Sequence, residues 1–170
     1  MSPPKRESGF TLFEAIIVVA LLGLLAVTSL PSILNMTEVR SLDLTAREIM
    51  STLQLARWQA VSTKLNHRLR FAFTGGRWAY ILELENPPGT WTAKRSFPAR
   101  TIPSKLAAVM TLPASSAVAF TGTGFVSGYE SNRSEIALVS SKLGALGQEN
   151  RRLIRFFASG SLQLTKARGG

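Results

Sequence analysis

Residues 9–14 read GFTLFE, and residues 15–30, AIIVVALLGLLAVTSL, carry no charge. Glu14 thus places a carboxylate at the start of a run otherwise suited to a bilayer, where ionisable groups are costly and need a partner. Scission between Gly9 and Phe10 supplies one. The new chain begins with a positive α-amino group at Phe10, and Glu14 lies four residues in, about 6 Å along a helix axis. Its carboxylate is then placed to neutralise the terminal charge of a neighbouring copy, one step away in a bundle of such helices. A matched pair costs far less in lipid than a lone charge. Glu14 would mark register for assembly, as a buried polar residue does in a coiled coil.

Elsewhere the sequence offers little chemistry. Cysteine is absent, which excludes disulfides, thiolate nucleophiles and Cys-ligated metals. The single histidine, His67, has no carboxylate at ligand spacing and is expected as a surface residue between helix and strand, not a metal ligand. Thr74-Gly75-Gly76 and Gly122-Thr123-Gly124 are too short to cradle phosphate, and neither is followed by Gly-Lys-Ser/Thr. Glu83 and Glu85 share one face of an expected strand. With Arg68, Arg70 and Arg77 on the adjoining strand, they read as cross-strand ion pairs and not as a catalytic carboxylate pair. Asp43 is the one aspartate and falls in a long helical pattern, so no Ser–His–Asp set can be assembled. The reading is a protein that is not an enzyme, with no cofactor and no metal.

The charge balance points to partners instead. Net charge is +10 over 170 residues. No acid separates Glu48 from Glu83, whereas Arg57, Lys64, Arg68, Arg70 and Arg77 fall between them. Removing residues 1–9 deletes Lys5, Arg6 and Glu7, a net +1, and leaves +9. Such a balance favours anionic partners, or is simply a solubilising basic surface.

These residues need elements to position them. As a helix, the 21 residues 10–30 span roughly 32 Å, enough for a hydrocarbon core of about 30 Å. Lys5 and Arg6 before it keep the N-terminus cytoplasmic. A cleaved secretory signal fits poorly, because Ala26-Val27-Thr28 is a feeble cleavage site and Glu14 interrupts the apolar core. Pro31 should kink the helix, not end it. Helical patterning resumes beyond it: Val39, Leu42, Ala46, Ile49, Leu53, Ala56 and Ala60 recur at spacings of three and four. Arg40, Arg47 and Arg57 lie off that seam. One helix from 10 to about 63, roughly 80 Å long, is predicted. Its first half is apolar all round, and its second half needs a sheet to cover its stripe.

Residues 69–73 and 77–84 alternate in polarity around Thr74-Gly75-Gly76, the pattern of a β-hairpin. Strands are also predicted at 91–97, 108–112, 118–120, 124–127, 135–140, 153–157 and 161–164, with a loop over 142–150. Their spacing lacks a βαβ rhythm and indicates antiparallel pairing. Phe71, Phe73, Trp78, Tyr80 and Trp91 alternate as sheet-core residues do and not as a nucleic-acid stacking platform.

Gly9, Phe10 and Glu14, the short charged leader, the apolar helix and Pro31 together resemble the class III signal of type IV pilins and type II secretion pseudopilins. That resemblance implies a prepilin peptidase cutting after Gly9 and methylating Phe10, with Glu14 and Pro31 serving assembly. The later sequence resembles the minor pseudopilins of the GspH/FimT type. The segments that carry this are Leu55-Ala56-Arg57-Trp58-Gln59-Ala60-Val61, Phe120-Thr121-Gly122-Thr123-Gly124 and Ile154-Arg155-Phe156-Phe157-Ala158-Ser159-Gly160-Ser161-Leu162.

The expected organisation is a leader over 1–9, a transmembrane and filament-core helix over 10–30, its amphipathic continuation over 31–64 and a periplasmic β domain over 65–170. The expected fold is α+β, a long N-terminal helix packed on a small antiparallel sheet domain. By resemblance, the chain is a minor pseudopilin of a type II secretion pseudopilus, anchored in inner-membrane lipid, assembling with other pilins or pseudopilins near a filament tip and engaging exported proteins. The alternative is a minor type IV pilin that catches DNA for uptake through Arg151, Arg152, Arg155, Lys166 and Arg168. The DNA-binding branch places an arginine-rich strand after its final glycine, whereas here Gly160 is followed by Ser161-Leu162-Gln163-Leu164.

Overall fold

An apolar stripe at helical spacing has to be covered, and that requirement organises the molecule. The computed structural model describes residues 11–113 and 116–169, the helical stretch 26–34 by its backbone alone. Helix α1 runs Leu12–Thr63 without interruption through position 31. The chain divides into two units, Met1–Thr37 and Glu38–Gly170.

In the first unit, the described side chains of α1 from Leu12 to Leu25 are apolar apart from Glu14, and nearly all of them are exposed. Leu12, Phe13, Val19 and Leu22 are among those exposed. In the second unit the same helix is one-sided. Leu42, Ala46, Ile49, Leu53, Ala56 and Ala60 are wholly buried, the predicted stripe with Val39 half-buried at its margin.

Among the described residues, ten strands form two antiparallel sheets that cover that stripe. The first sheet contains β1 (His67–Thr74), β2 (Arg77–Glu85), β3 (Trp91–Ala93), β4 (Arg100–Thr101), β6 (Ala117–Phe120) and β7 (Val126–Ser127). Its order is β3-β2-β1-β6-β7, with β4 also paired to β2. The second contains β5 (Ala107–Thr111), β8 (Glu135–Val139), β9 (Arg151–Phe156) and β10 (Leu162–Ala167), in the order β10-β9-β8-β5. Leu69, Phe71, Tyr80, Leu82 and Phe120 of the first sheet and Ile136, Leu138, Ile154 and Phe156 of the second share one core cluster with the helix stripe.

The hairpin joining β1 and β2 turns through Gly75 (φ 59°) and Gly76 (φ 75°). Two consecutive left-handed residues give the tight turn whose twist matches the flanking strands, and Thr74 faces Arg77 across it.

Several expectations change. Residues 142–150 are not all loop: a short helix α2 (Ser141–Ala145) opens the stretch, because the Ser140 side chain accepts the N–H of Leu143 and Leu143 is buried. The strand expected over 91–97 closes at Ala93, and the unpredicted β4 pairs Ala79 with Thr101. The aromatic ladder is split. Phe71 and Tyr80 are core, whereas Phe73 is exposed against Trp78 at the hairpin's end and Trp91 lies half-buried under the Arg68 guanidinium. Trp78 still packs against the margin of the core, while Phe73 beyond it is exposed.

Candidate functional site

Three regions carry the polar chemistry. The first is the start of α1. Thr11 precedes the helix, and its Oγ1 accepts the backbone N–H of Glu14 at 3.2 Å. Glu14 therefore sits at the third helical position of a Thr-x-x-Glu capping arrangement, which favours a carboxylate near the positive end of the helix dipole. The side chain stays exposed. Gly9 and Phe10 lie outside the described residues, as does the side chain of Pro31. Among the described residues, no helix is long and apolar enough to cross a membrane.

The second region lies where the flank of α1 meets the sheets. Acids that interrupt the helix sequence face inward at its edges. Glu38 is buried, accepts the Ser140 hydroxyl at 3.0 Å and meets Lys105 Nζ at 3.3 Å. Asp43 receives Arg152 Nε at 2.5 Å and Lys166 Nζ at 3.3 Å. Glu48 pairs with Arg100. Burial pushes the Asp43 carboxyl up, but the Arg152 and Lys166 bonds and charges together outweigh it and hold the group below the usual value.

The five cations expected to face an anionic partner are thus placed differently. Arg152 is only 2% exposed. It shares strand parity with Ile154 and Phe156, so it points to the core and Asp43 neutralises it there. Arg151 and Arg155 point the other way and both meet Glu135, at 3.3 and 2.9 Å. Lys166 is held by Asp43. Arg168 alone of the five is exposed with no ion pair among the described residues.

Glu83 takes both Arg68 and Arg70, at 2.6 and 2.7 Å, as the cross-strand reading requires. Glu85 departs from it. Its carboxylate accepts the Gly89 N–H at 2.7 Å and the Asn66 amide at 2.6 Å, and these donors lower its pKa. Arg77 joins no ion pair among the described residues. His67 is not a surface residue: it is fully buried, on the parity of Leu69 and Phe71. Its Nδ1 lies 3.1 Å from the Leu65 carbonyl, and its Nε2 has no partner among the described residues. Burial holds its pKa below the ordinary histidine value.

The third region brings together the three segments that resemble the GspH/FimT type. Arg57, near the end of α1, donates from Nε to the Gly124 carbonyl at 3.0 Å and from Nη2 to the Ser159 carbonyl at 3.1 Å. The loop after β6 and the turn after β9 are thereby fixed to the helix, and Val126 N–H adds a bond to the Ala158 carbonyl at 3.0 Å. Gly160 is required by contact as well as by its φ of +77°: a Cβ there would lie 2.1 Å from the Gly124 oxygen and 2.8 Å from Arg57 Nε. Gly122 and Gly124 are also close-approach points, where a Cβ would lie 2.8 Å from the Lys64 backbone and 2.9 Å from Val61 Cγ2, whereas Gly75 and Gly76 of the hairpin stand in open space. Nothing in the sequence linked them to Arg57.

A long helix laid on antiparallel sheets, preceded by a Gly-Phe-Thr-Leu-x-Glu start, is a pilin-like architecture. Residues 4–30 match the prokaryotic N-terminal methylation motif. The fold is similar to that of the minor pseudopilin EpsH from the Type 2 Secretion System of Vibrio cholerae. The two share 12% identity over 73% of this chain and 95% of that one, with a TM-score of 0.54. Two crystal forms of the type IV minor pilin FimU of Pseudomonas aeruginosa PAO1 also overlap, each at 19% identity. They cover 71% and 76% of this chain and 89% and 91% of theirs, with TM-scores of 0.47 and 0.48. No curated protein sequence matches the chain.

Proposed function

We propose that this chain is a minor pseudopilin, a structural subunit of a type II secretion pseudopilus that acts in protein export and sits near the filament tip. The observation that carries this reading is the start of α1, where apolar side chains face outward on every side and Glu14 is exposed among them. A helix of that kind needs lipid or other helices around it. Residues 10–30 supply the membrane-spanning and filament-core segment, prepilin peptidase cuts after Gly9 and methylates Phe10, and Pro31 lets the helix bend at the membrane exit. The domain beyond it is periplasmic.

The capping arrangement gives Glu14 a second, purely local role, and one substitution separates the two. Glu14→Gln retains a capping side chain and removes the charge that would neutralise a neighbour's Phe10 amine. The expected outcome is normal processing and membrane insertion with little incorporation into filaments, measured by mass spectrometry of the N-terminus and by immunoblot of sheared filaments. Wild-type incorporation of Glu14→Gln would eliminate the pairing role. Deletion of the gene should reduce secretion of exported proteins; loss of surface pili with secretion intact would assign the chain to a type IV pilus.

The DNA reading is weaker. Four of its five cations already have carboxylate partners within the chain, which reduces the counterion release that drives non-specific binding.

A further inference from the structure

Beyond residue 37, α1 has a face that none of the described residues covers. Arg40, Leu44, Arg47, Ser51, Gln54, Trp58 and Val61 are all exposed, and their spacing alternates four and three. That is the heptad repeat of a helix-pairing seam. The stripe lies on the opposite side of the helix from Leu42, Ile49, Leu53 and Ala60. Leu44 is 57% exposed and Trp58 66%. At its far end, a recess of about 340 Å³ opens between Gln54, Trp58, Val61 and Leu162.

We propose that this seam docks a helix of a different, acidic subunit, one that presents two carboxylates a heptad apart to Arg40 and Arg47 and an apolar side chain to the Trp58 recess. This rests on the pseudopilin reading and adds the chemistry of the neighbour. Charge decides the partner. Neither Arg40 nor Arg47 has an ion pair among the described residues. Every described carboxylate beyond residue 37 except Glu149 is already held by a cation or donor of its own chain. A second copy therefore brings a matching cationic seam and almost no free acid, and like charges across an interface are strongly disfavoured. A nucleic acid or an anionic lipid surface fits less well. Both bind through clusters of many cations, whereas this seam has two, about 10.5 Å apart along the axis, with Leu44 between them.

The test uses the full chain in its native host, with a photo-crosslinking residue at Ser51 and, separately, at Leu44. The expected product is an adduct with a different protein, mapped to a helical segment that bears carboxylates. Its yield should fall about tenfold in the doubly reversed Arg40→Glu, Arg47→Glu chain and recover when those carboxylates are changed to lysine. Trp58→Ala should also lower the yield with both arginines intact. An adduct of two copies, an adduct to lipid or nucleic acid, no adduct, or a yield indifferent to charge reversal would each overturn the proposal. N-terminal processing is measured in the same cells. An unprocessed chain with a charge-dependent adduct to an acidic protein would sink the pseudopilin reading alone. A processed chain with a charge-indifferent adduct would sink this one.

Discussion

Arg152 shows how a surface cation on paper becomes a core constraint. It sits on the inward parity of β9 with Asp43 as its carboxylate, and breaking such a pair from one side leaves a buried charge unmet. Asp43→Asn, nearly isosteric, should cost about 3 kcal/mol, read from urea unfolding of the full chain in non-ionic detergent. The pH dependence follows from the direction of the shift. Asp43 is held below the ordinary aspartate value of 3.8, so its contribution is present above about that pH and is lost as pH falls through the folded value. His67 acts in a higher window. Its folded pKa lies below 6.5, so the unfolded chain takes up the proton first and stability declines as pH drops below that value. His67→Leu should flatten the stability profile between pH 7 and 5 while leaving stability at pH 7.5 within about 1 kcal/mol of wild type, because the buried Nε2 bonds to nothing there. An unchanged slope would show that another group titrates.

At the scale of elements, the two sheets are held to one helix end by Arg57. Arg57→Met keeps the apolar stem and removes both carbonyl contacts, with an expected cost of about 2 kcal/mol, since bonds from charged donors run at roughly 1.5–3 kcal/mol each and solvent offsets part of the loss. Gly160→Ala should be worse. It sets a Cβ against the Gly124 oxygen at a positive φ, and a loss of more than about 2 kcal/mol is expected in the same unfolding assay. Were Gly160→Ala as stable as wild type, the helix end and the two loops would not be in contact in solution. How much of this was legible varies by element. The helix stripe and the hairpin could be read because each depends on local periodicity and turn residues. The inward positions of His67 and Arg152 were also written in the alternation of their strands, with Leu69 and Phe71 for one and Ile154 and Phe156 for the other, but residue polarity argued the opposite. Helix α2 was not legible, since five residues are too few for a period and its cue is a single serine cap.

For the whole molecule, Glu38, Asp43 and Glu48 hold the helix against the domain through Lys105, Arg152, Lys166 and Arg100, and the excess of cations gives the chain its sign. That arrangement bears on nucleic-acid binding. With duplex DNA and the full chain in detergent, a gel shift should show little retardation near 150 mM salt, where only strongly cationic clusters still bind. Tight, steeply salt-dependent retardation lost on Arg168→Ala would restore the DNA reading. The apolar start of α1 and the cationic seam beyond residue 37 occupy different units of the chain. They support different predictions: Glu14→Gln should block incorporation, whereas Arg40→Glu with Arg47→Glu should change which neighbour is met.

Sequence by itself determined the long helix, its change from apolar all round to one-sided, the antiparallel character of the domain and the Gly-Phe-Thr-Leu-x-Glu start. Each is encoded in residues close along the chain, so periodicity and turn chemistry suffice. Only the tertiary structure decided which charges survive as surface. Asp43 meets Arg152 across 109 positions and Arg57 meets Ser159 across 102, and no local pattern reports a pairing made at that range. The same distance effect set the strand order, where β5 lies beside β8 and β6 beside β1. These neighbours are chosen by what the helix stripe can bury, a property of the assembled core and not of any one segment.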